Sequence, residues 1–120
     1  MSYACDNIDM KQVLIYDLEN GKEPFTSWLK SIKDNITQAR IKSAILRLSN
    51  GNFSDIKKLN SDISELRLHF GSGYRVYFSE LDKIIILLLC GGDKSTQSKD
   101  IKKASMYLKN YKEQQNDKNI

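Results

Sequence analysis

Four basic side chains in the second half of the chain have the types and the spacing for phosphate chemistry. Arg67, His69 and Arg75 fall at alternate positions of two short strand-like runs, and Lys94 follows the next apolar run. Because successive side chains of a strand point to opposite faces, the first three share one face if the two runs pair. Guanidinium groups bind phosphate in bidentate geometry, and an imidazole exchanges protons near neutral pH. A polyanion is therefore the expected partner, and RNA is the first candidate.

Cleavage of RNA without a metal needs three kinds of group. A base takes the 2′-OH proton, positive charge stabilises the phosphorane, and an acid protonates the leaving oxygen. His69 is the candidate base or acid, and the catalytic set is completed by Arg67, Arg75 and Lys94. The candidate RNA-binding residues around this set are Lys57, Lys58 and Tyr77.

Ordinary structural roles remain open for the same residues. A strand histidine is more often a surface residue than a catalyst. Arg67 and Arg75 have nearby carboxylates to pair with, Glu65 and Glu80, and lysine pairs usually stay solvated. The functional interpretation depends on the convergence of several cations on one face, and it predicts that Arg75 projects from that face largely free of tight carboxylate pairing.

Length and composition favour a single compact domain. The chain has 120 residues, 40% of them hydrophobic, and a net charge of +4. We expect one domain over residues 1–120, with its core at about 11–111 and loose termini. His69 has no Cys or His at ligand spacing, so neither a metal nor a cofactor is expected. Cys5 and Cys90 are expected to be free thiols.

Nothing in the sequence indicates a membrane or an export signal. The first ten residues have no apolar run of signal-peptide length, and the longest apolar run, Ile84–Cys90, is too short to cross a bilayer. A cytoplasmic protein is expected, while its oligomeric state is left open.

The periodicity predicts the element order β-α-α-β-β-β-α. A β-rich run ends at Asn20-Gly21, Pro24 can begin a helix, and Asp34 or Asn35 can cap a second helix that Gly51 ends. Residues 50–60 have no clear period and are interpreted as a loop, and Gly91-Gly92-Asp93 is expected to break the last strand. The prediction is an α+β fold: a small, mainly antiparallel, curved sheet packed by an N-terminal helical hairpin and a C-terminal helix.

The register of the central hairpin is predicted from its alternation. A three-residue loop, Gly71-Ser72-Gly73, sets Phe70 opposite Tyr74 and keeps apolar residues paired with apolar ones. On the other face it sets His69 opposite Arg75 and Arg67 opposite Tyr77. A slip by one residue would turn every side chain to the wrong face.

Three segments carry a family resemblance: RIKSAILRLSNGNFSDIKKL, ELRLHFGSGYRVYF and IIILLLCGGDKSTQSKDIKKA. They resemble the RelE/ParE superfamily of type II toxin–antitoxin toxins, in particular the HigB-like branch described as putative addiction module killer proteins. The likeness extends from about Val13 to Lys109. It implies a compact toxin with helices on one side of a curved antiparallel sheet, neutralised by a cognate antitoxin that often has a helix-turn-helix domain.

The resemblance also implies residue roles. Arg75 matches the arginine with which RelE-type enzymes hold the scissile phosphate, and Lys94 falls where they place another cation. Arg67 and His69 lie on the strand where those enzymes carry basic residues. One departure stands out: RelE-type enzymes have a tyrosine near the position of Asp100 in this chain.

Three functions are compatible with the sequence. The first is a ribosome-dependent mRNA endoribonuclease, because RelE-type relatives cut mRNA in the ribosomal A site. The second is a ParE-like inhibitor of DNA gyrase without nuclease chemistry. The third is an inactive toxin that retains only antitoxin binding. The clustering of Arg67, His69 and Arg75 favours the first.

Overall fold

A computed structural model of the chain describes residues 10–52 and 55–118, and shows an α+β fold. Helix α1 begins at Pro24, where the missing N–H is tolerated, and helix α2 begins after Asp34, whose carboxylate accepts from Ile36 N at 3.0 Å. Gly51 ends α2 with φ +93°. The helices are α1 (Pro24–Ser31), α2 (Asn35–Ser49) and α3 (Gln97–Lys118).

Five strands form one sheet in the order β1-β5-β4-β3-β2. The pairing of β1 with β5 is parallel and the other three pairings are antiparallel. The strands are β1 (Gln12–Ile15), β2 (Ile56–Lys58), β3 (Ser64–Arg67), β4 (Arg75–Leu81) and β5 (Ile85–Gly92). The predicted α+β class, with a mainly antiparallel sheet, is confirmed.

Two details differ from the prediction. Residues 56–58 form the edge strand β2 rather than a loop, because they pair with β3 over three residues that are too few to show a period. Strand β5 continues through Cys90, Gly91 and Gly92, although two glycines were expected to break it.

The helices pack on both faces of the sheet, not on one. The first core contains α1 and α2 residues packed against Leu66, Val76 and Phe78. The second contains Ala104 and Leu108 of α3 with residues of the opposite sheet face. Strand β5 lies between the two cores, which explains its apolar run: Ile86 to Cys90 are all at most 5% exposed.

The glycine pair at the end of β5 lets both layers approach the sheet closely. A methyl group at Gly91 would overlap the Trp28 ring of α1, and one at Gly92 would overlap the Asp100 carboxylate of α3. There is therefore no room for a side chain at either position, although both residues belong to the strand and pair with Val76 and Arg75.

The longest helix, α3, is strongly polar. No helix in the described part of the chain combines the length and the apolar character that a membrane crossing requires.

Cys5 lies outside the described residues, whereas Cys90 is a buried free thiol, as predicted.

Candidate nucleic-acid interface

Three of the predicted cations meet where the central strands end. Arg67 and Arg75 are directly opposite each other as the last pair of β3 and β4. Arg75 also pairs with Gly92 of β5, and Lys94 follows two residues later. A Cβ atom at Gly73 would lie 3.3 Å from Arg75 Nη1 and 3.6 Å from Lys94 Cβ, so this glycine separates the two side chains. We call Arg67, Arg75 and Lys94 the sheet-end cluster.

The hairpin register is shifted by two residues from the prediction. Arg67 is opposite Arg75, rather than opposite Tyr77, and the loop begins before His69. Gly71 and Gly73 adopt φ +59° and +76°, the left-handed conformations that a glycine loop provides. A shift of two keeps every side chain on its predicted face, so the shared face of the two arginines is retained.

Arg75 is held by a buried carboxylate, and the expectation that it would be largely free of such pairing is wrong. Its Nε lies 3.3 Å from Glu65 Oε2, and its Nη1 donates to Gly73 O at 2.8 Å. The Arg75 side chain is 14% exposed and that of Glu65 is 0% exposed. Gln97 Nε2 of α3 donates to the same Glu65 oxygen at 2.8 Å. Register decides this contact, because Glu65 and Arg75 become diagonal neighbours on one face.

Tyr77 belongs to the core beneath the cluster and cannot stack on a base, contrary to the prediction. It lies opposite Glu65 and is 0% exposed. Burial raises the pKa of its hydroxyl, and the negative charge of Glu65 raises that pKa further. Tyr77 therefore stays protonated at neutral pH and has no access to a leaving group.

Some polar atoms under the cluster lack hydrogen-bond partners. Among the residues that the structure describes, Glu65 Oε1, Arg67 Nε, Arg75 Nε and the Tyr77 hydroxyl are buried without an acceptor or donor of suitable geometry. An unpaired buried polar atom costs free energy. Arg67 Nε is itself buried, so its missing hydrogen bond is a cost inside the cluster and not a contact point for a ligand.

His69 is placed beyond the end of β3 and not opposite Arg75. Its side chain is 67% exposed, and Nε2 lies 3.3 Å from Asp55 Oδ1. Its position follows from the same register shift, which moves it from the predicted strand pair into the loop.

A groove of about 620 Å³ connects His69 to the cluster. It runs between α2 and the end of β3, and Arg67 lines it as well as belonging to the sheet-end cluster. Two further arginines, Arg40 and Arg47, line its α2 side, and the Arg40 guanidinium lies 3.9 Å above the Phe70 ring. The sequence interpretation missed both. Their spacing of seven residues, two helical turns, is the signal that would have placed them on one face.

The two lysines of β2 face opposite sides of the sheet. Lys57 is opposite Glu65 and shares the face of the cluster, whereas Lys58 is opposite Ser64 and lines a different pocket with Lys11 and Lys83. Both are exposed. Lys57 thus keeps its place beside the predicted site, while Lys58 lies apart from it.

Asp100 occupies the position where the resemblance implies a tyrosine. It is 7% exposed, accepts from the Thr96 hydroxyl, and packs over Gly92. It therefore fixes the first turn of α3 against the sheet. Tyr107 does not replace the tyrosine, because its ring stacks on Tyr16 at 5.1 Å in the second core.

Comparison with known proteins finds a relative in sequence and a solved structure with a similar fold. An uncharacterized protein of Haemophilus influenzae is 51% identical over 82 residues, which cover 68% of this chain and 83% of that protein. No protein-family model matches the chain. Among solved structures, a mutant of the Escherichia coli toxin RelE in the free state is similar, with a TM-score of 0.50 and 14% identity over 74% of this chain and 97% of that one. The fold is therefore RelE-like.

Proposed function

We propose that this chain, which belongs to the family of that Haemophilus influenzae protein and has the RelE-like fold, is the toxin of a type II toxin–antitoxin pair. Its proposed activity is a cytoplasmic, ribosome-dependent cleavage of mRNA. Two kinds of support carry the proposal. The solved structure with this fold is a toxin, and the sheet-end cluster has the chemistry of a phosphate site. The finer HigB-like assignment rests on the sequence resemblance.

The observation that carries the proposal is the direct opposition of Arg67 and Arg75. Like charges directly opposite on a sheet destabilise it. Of the two arginines, only Arg75 forms an ion pair with Glu65, and the Lys94 side chain begins beside Arg75 at Gly73. The cluster therefore has an excess of positive charge that a bound phosphate would neutralise.

Each residue then has a role in the proposed reaction. Arg75, Arg67 and Lys94 stabilise the charge that develops on the phosphorane. His69 takes the 2′-OH proton as the 2′ oxygen bonds to phosphorus, and Asp55 at 3.3 Å orients the ring. A solvent water protonates the 5′ oxygen that leaves when its bond to phosphorus breaks. Arg67, which lines the groove beside His69, connects the proton-transfer group to the phosphate site. Lys57 contacts a neighbouring phosphate.

Expression from an inducible promoter, followed by mapping of mRNA 5′ ends, tests the activity. The expected result is new, in-frame cuts in translated messages, lost in Arg67→Gln and Lys94→Gln. Lys30→Gln is the matched control, because Lys30 is an exposed lysine in the last turn of α1. An unchanged set of 5′ ends during growth arrest would contradict the nuclease.

A second candidate is a gyrase inhibitor that binds without chemistry. It is favoured by the pairing of Arg75 with Glu65 and by Asp100 at the position of the expected tyrosine. Plasmid supercoiling in the same cultures separates the two functions. Relaxed plasmid or double-strand breaks, with intact mRNA, would support the gyrase inhibitor. Growth without arrest, with antitoxin binding intact, would indicate an inactive toxin.

The proposed partner is a cognate antitoxin, expected to be of the helix-turn-helix type. It would neutralise the toxin by placing Asp or Glu against the sheet-end cluster, or by displacing α3. Displacement must break the Gln97–Glu65 hydrogen bond and expose Ala104 and Leu108, which are at most 4% exposed. Competition between the antitoxin and RNA tests occlusion. A complex that contacts only α1 and α2, with the cluster open, would contradict it.

A further inference from the structure

Glu65 is a carboxylate with no exposed surface, placed beside Arg75 of the sheet-end cluster. It lies on β3 two residues before Arg67, opposite Tyr77. A buried carboxylate is costly unless it is paired and hydrogen-bonded. An apolar residue at this position would avoid that cost, so the contacts of Glu65 indicate what the charge does.

Both strong contacts of Glu65 use the same oxygen. Oε2 lies 3.3 Å from Arg75 Nε and accepts from Gln97 Nε2 at 2.8 Å. Arg75 is held a second time, since its Nη1 donates to Gly73 O at 2.8 Å. One guanidinium nitrogen, Nη1, is therefore held by a hydrogen bond, and a second, Nε, is held by the charge of Glu65 without hydrogen-bond geometry. The third, Nη2, has no hydrogen bond or ion pair within the described residues.

We propose that Glu65 is the positioning residue of the RNA site, which fixes the Arg75 guanidinium so that its remaining nitrogen meets the scissile phosphate in one orientation. Gln97 extends this support to the first residue of α3. The inference rests on the proposed function, because it takes the sheet-end cluster as the phosphate site. Glu65 contacts Arg75 and not the substrate, so it acts through another residue.

The proposal has a signature that a merely structural residue lacks. Removing the Glu65 charge leaves the cluster more positive, so RNA should bind more tightly. Removing the fixed contact lets Arg75 adopt several orientations, so cleavage should fall. Opposite changes in affinity and rate therefore identify positioning, whereas loss of fold would lower both together.

The test compares Glu65→Gln with the wild type in the full chain. Binding of a fluorescein-labelled 12-nucleotide single-stranded RNA is measured by anisotropy, and single-turnover cleavage is measured on programmed ribosomes. The Arg75 Nε–Hε signal is followed by NMR. We expect binding several-fold tighter, cleavage lower by roughly 10²-fold, and an upfield shift of the Hε signal. The matched control is Glu80→Gln, because Glu80 is a β4 carboxylate paired with Lys11 on the surface, and all three readouts should stay unchanged.

Each outcome decides the proposal. Wild-type cleavage with an unchanged Arg75 signal in Glu65→Gln overturns it, as does a joint loss of binding, cleavage and melting temperature. If Glu65→Gln does not fold, Gln97→Met decides, since Gln97 is only partly buried. That variant should lower cleavage several-fold at an unchanged melting temperature, and unchanged cleavage overturns the inference. If the wild type cleaves no RNA, the proposed function fails, while RNA affinity and the Arg75 signal still report whether Glu65 positions the arginine.

Discussion

Removal of the Arg75 side chain is expected to destabilise the protein strongly, because it leaves the buried Glu65 carboxylate without its cation. An exposed arginine contributes about 0.5 kcal/mol or less. Here the Arg75 side chain is 14% exposed and Glu65 is fully buried, with its nearest cation 3.3 Å away. Breaking a buried ion pair by removing one partner costs about 3–5 kcal/mol. Gln97 still donates to Glu65 in the variant, so we expect the lower end, about 3 kcal/mol, for Arg75→Ala.

Urea unfolding followed by circular dichroism measures this loss. A total stability of about 5–15 kcal/mol makes 3 kcal/mol a large fraction, and the melting temperature should fall by about 10 °C. Lys94→Ala, in the same cluster but exposed, is the control and should stay within about 0.5 kcal/mol. Growth assays of Arg75→Ala therefore mix instability with lost chemistry. Arg75→Lys is the better variant for testing function, because it keeps a positive charge beside Glu65 but lacks the planar guanidinium group.

A double-mutant cycle identifies the cause of the loss. Adding Glu65→Gln to Arg75→Ala removes the unpaired buried charge, so the double variant should be more stable than Arg75→Ala alone. The coupling between the two substitutions in the free energy of unfolding should be about 0.5–3 kcal/mol. The reasoning is refuted if Arg75→Ala loses less than about 1 kcal/mol, or if the two substitutions add without coupling.

Four other outcomes are expected. His69→Gln should lower cleavage on programmed ribosomes by roughly 10²-fold if His69 transfers the proton; full activity would leave charge stabilisation as the mechanism. Lys83→Gly should raise the free energy of unfolding by up to about 1 kcal/mol, because φ +62° at Lys83 costs a residue with a Cβ about 1–2 kcal/mol, whereas glycine costs about 0.5–1 kcal/mol in chain entropy; Lys83→Ala should bring no such gain. Gly92→Ala should cost about 1–3 kcal/mol in urea unfolding, since its methyl group overlaps Asp100; a neutral result would mean that α3 shifts freely. Burial raises the pKa of the Cys90 thiol to about 12, so the unfolded thiol ionises first, and stability should fall as the pH rises from about 8.5 towards 12. Cys90→Ser should remove that part of the alkaline loss.

The faces of the strands were predictable from the sequence, whereas their register was not. Leu66 and Val76 point to the first core, as their alternation predicts, and Arg67 shares a face with Arg75. Side-chain alternation has a period of two, so the two-residue error in register left these assignments intact. The error still changed the site, because it moved His69 into the loop.

The sequence also failed to predict the edge strand β2 and the packing of helices on both faces of the sheet. Three residues, Ile56–Lys58, are too short for a periodic signal, and β2 exists because β3 offers it a partner. The apolar stripe of α3 indicates that the helix packs, but a stripe does not state which sheet face it covers.

The sequence by itself determined the order of most elements, the beginning and end of α2, the glycine loop, and the gathering of cations near the ends of β3, β4 and β5. These follow from local rules: capping residues, positive φ at glycine, and alternation along a strand. Only the tertiary structure decided that Glu65 is buried against Arg75, that Tyr77 is inaccessible, and that Arg40 and Arg47 border a groove with Arg67. Those contacts join residues far apart in the chain, and they depend on the register and on the layer packed above each face, which no local pattern specifies.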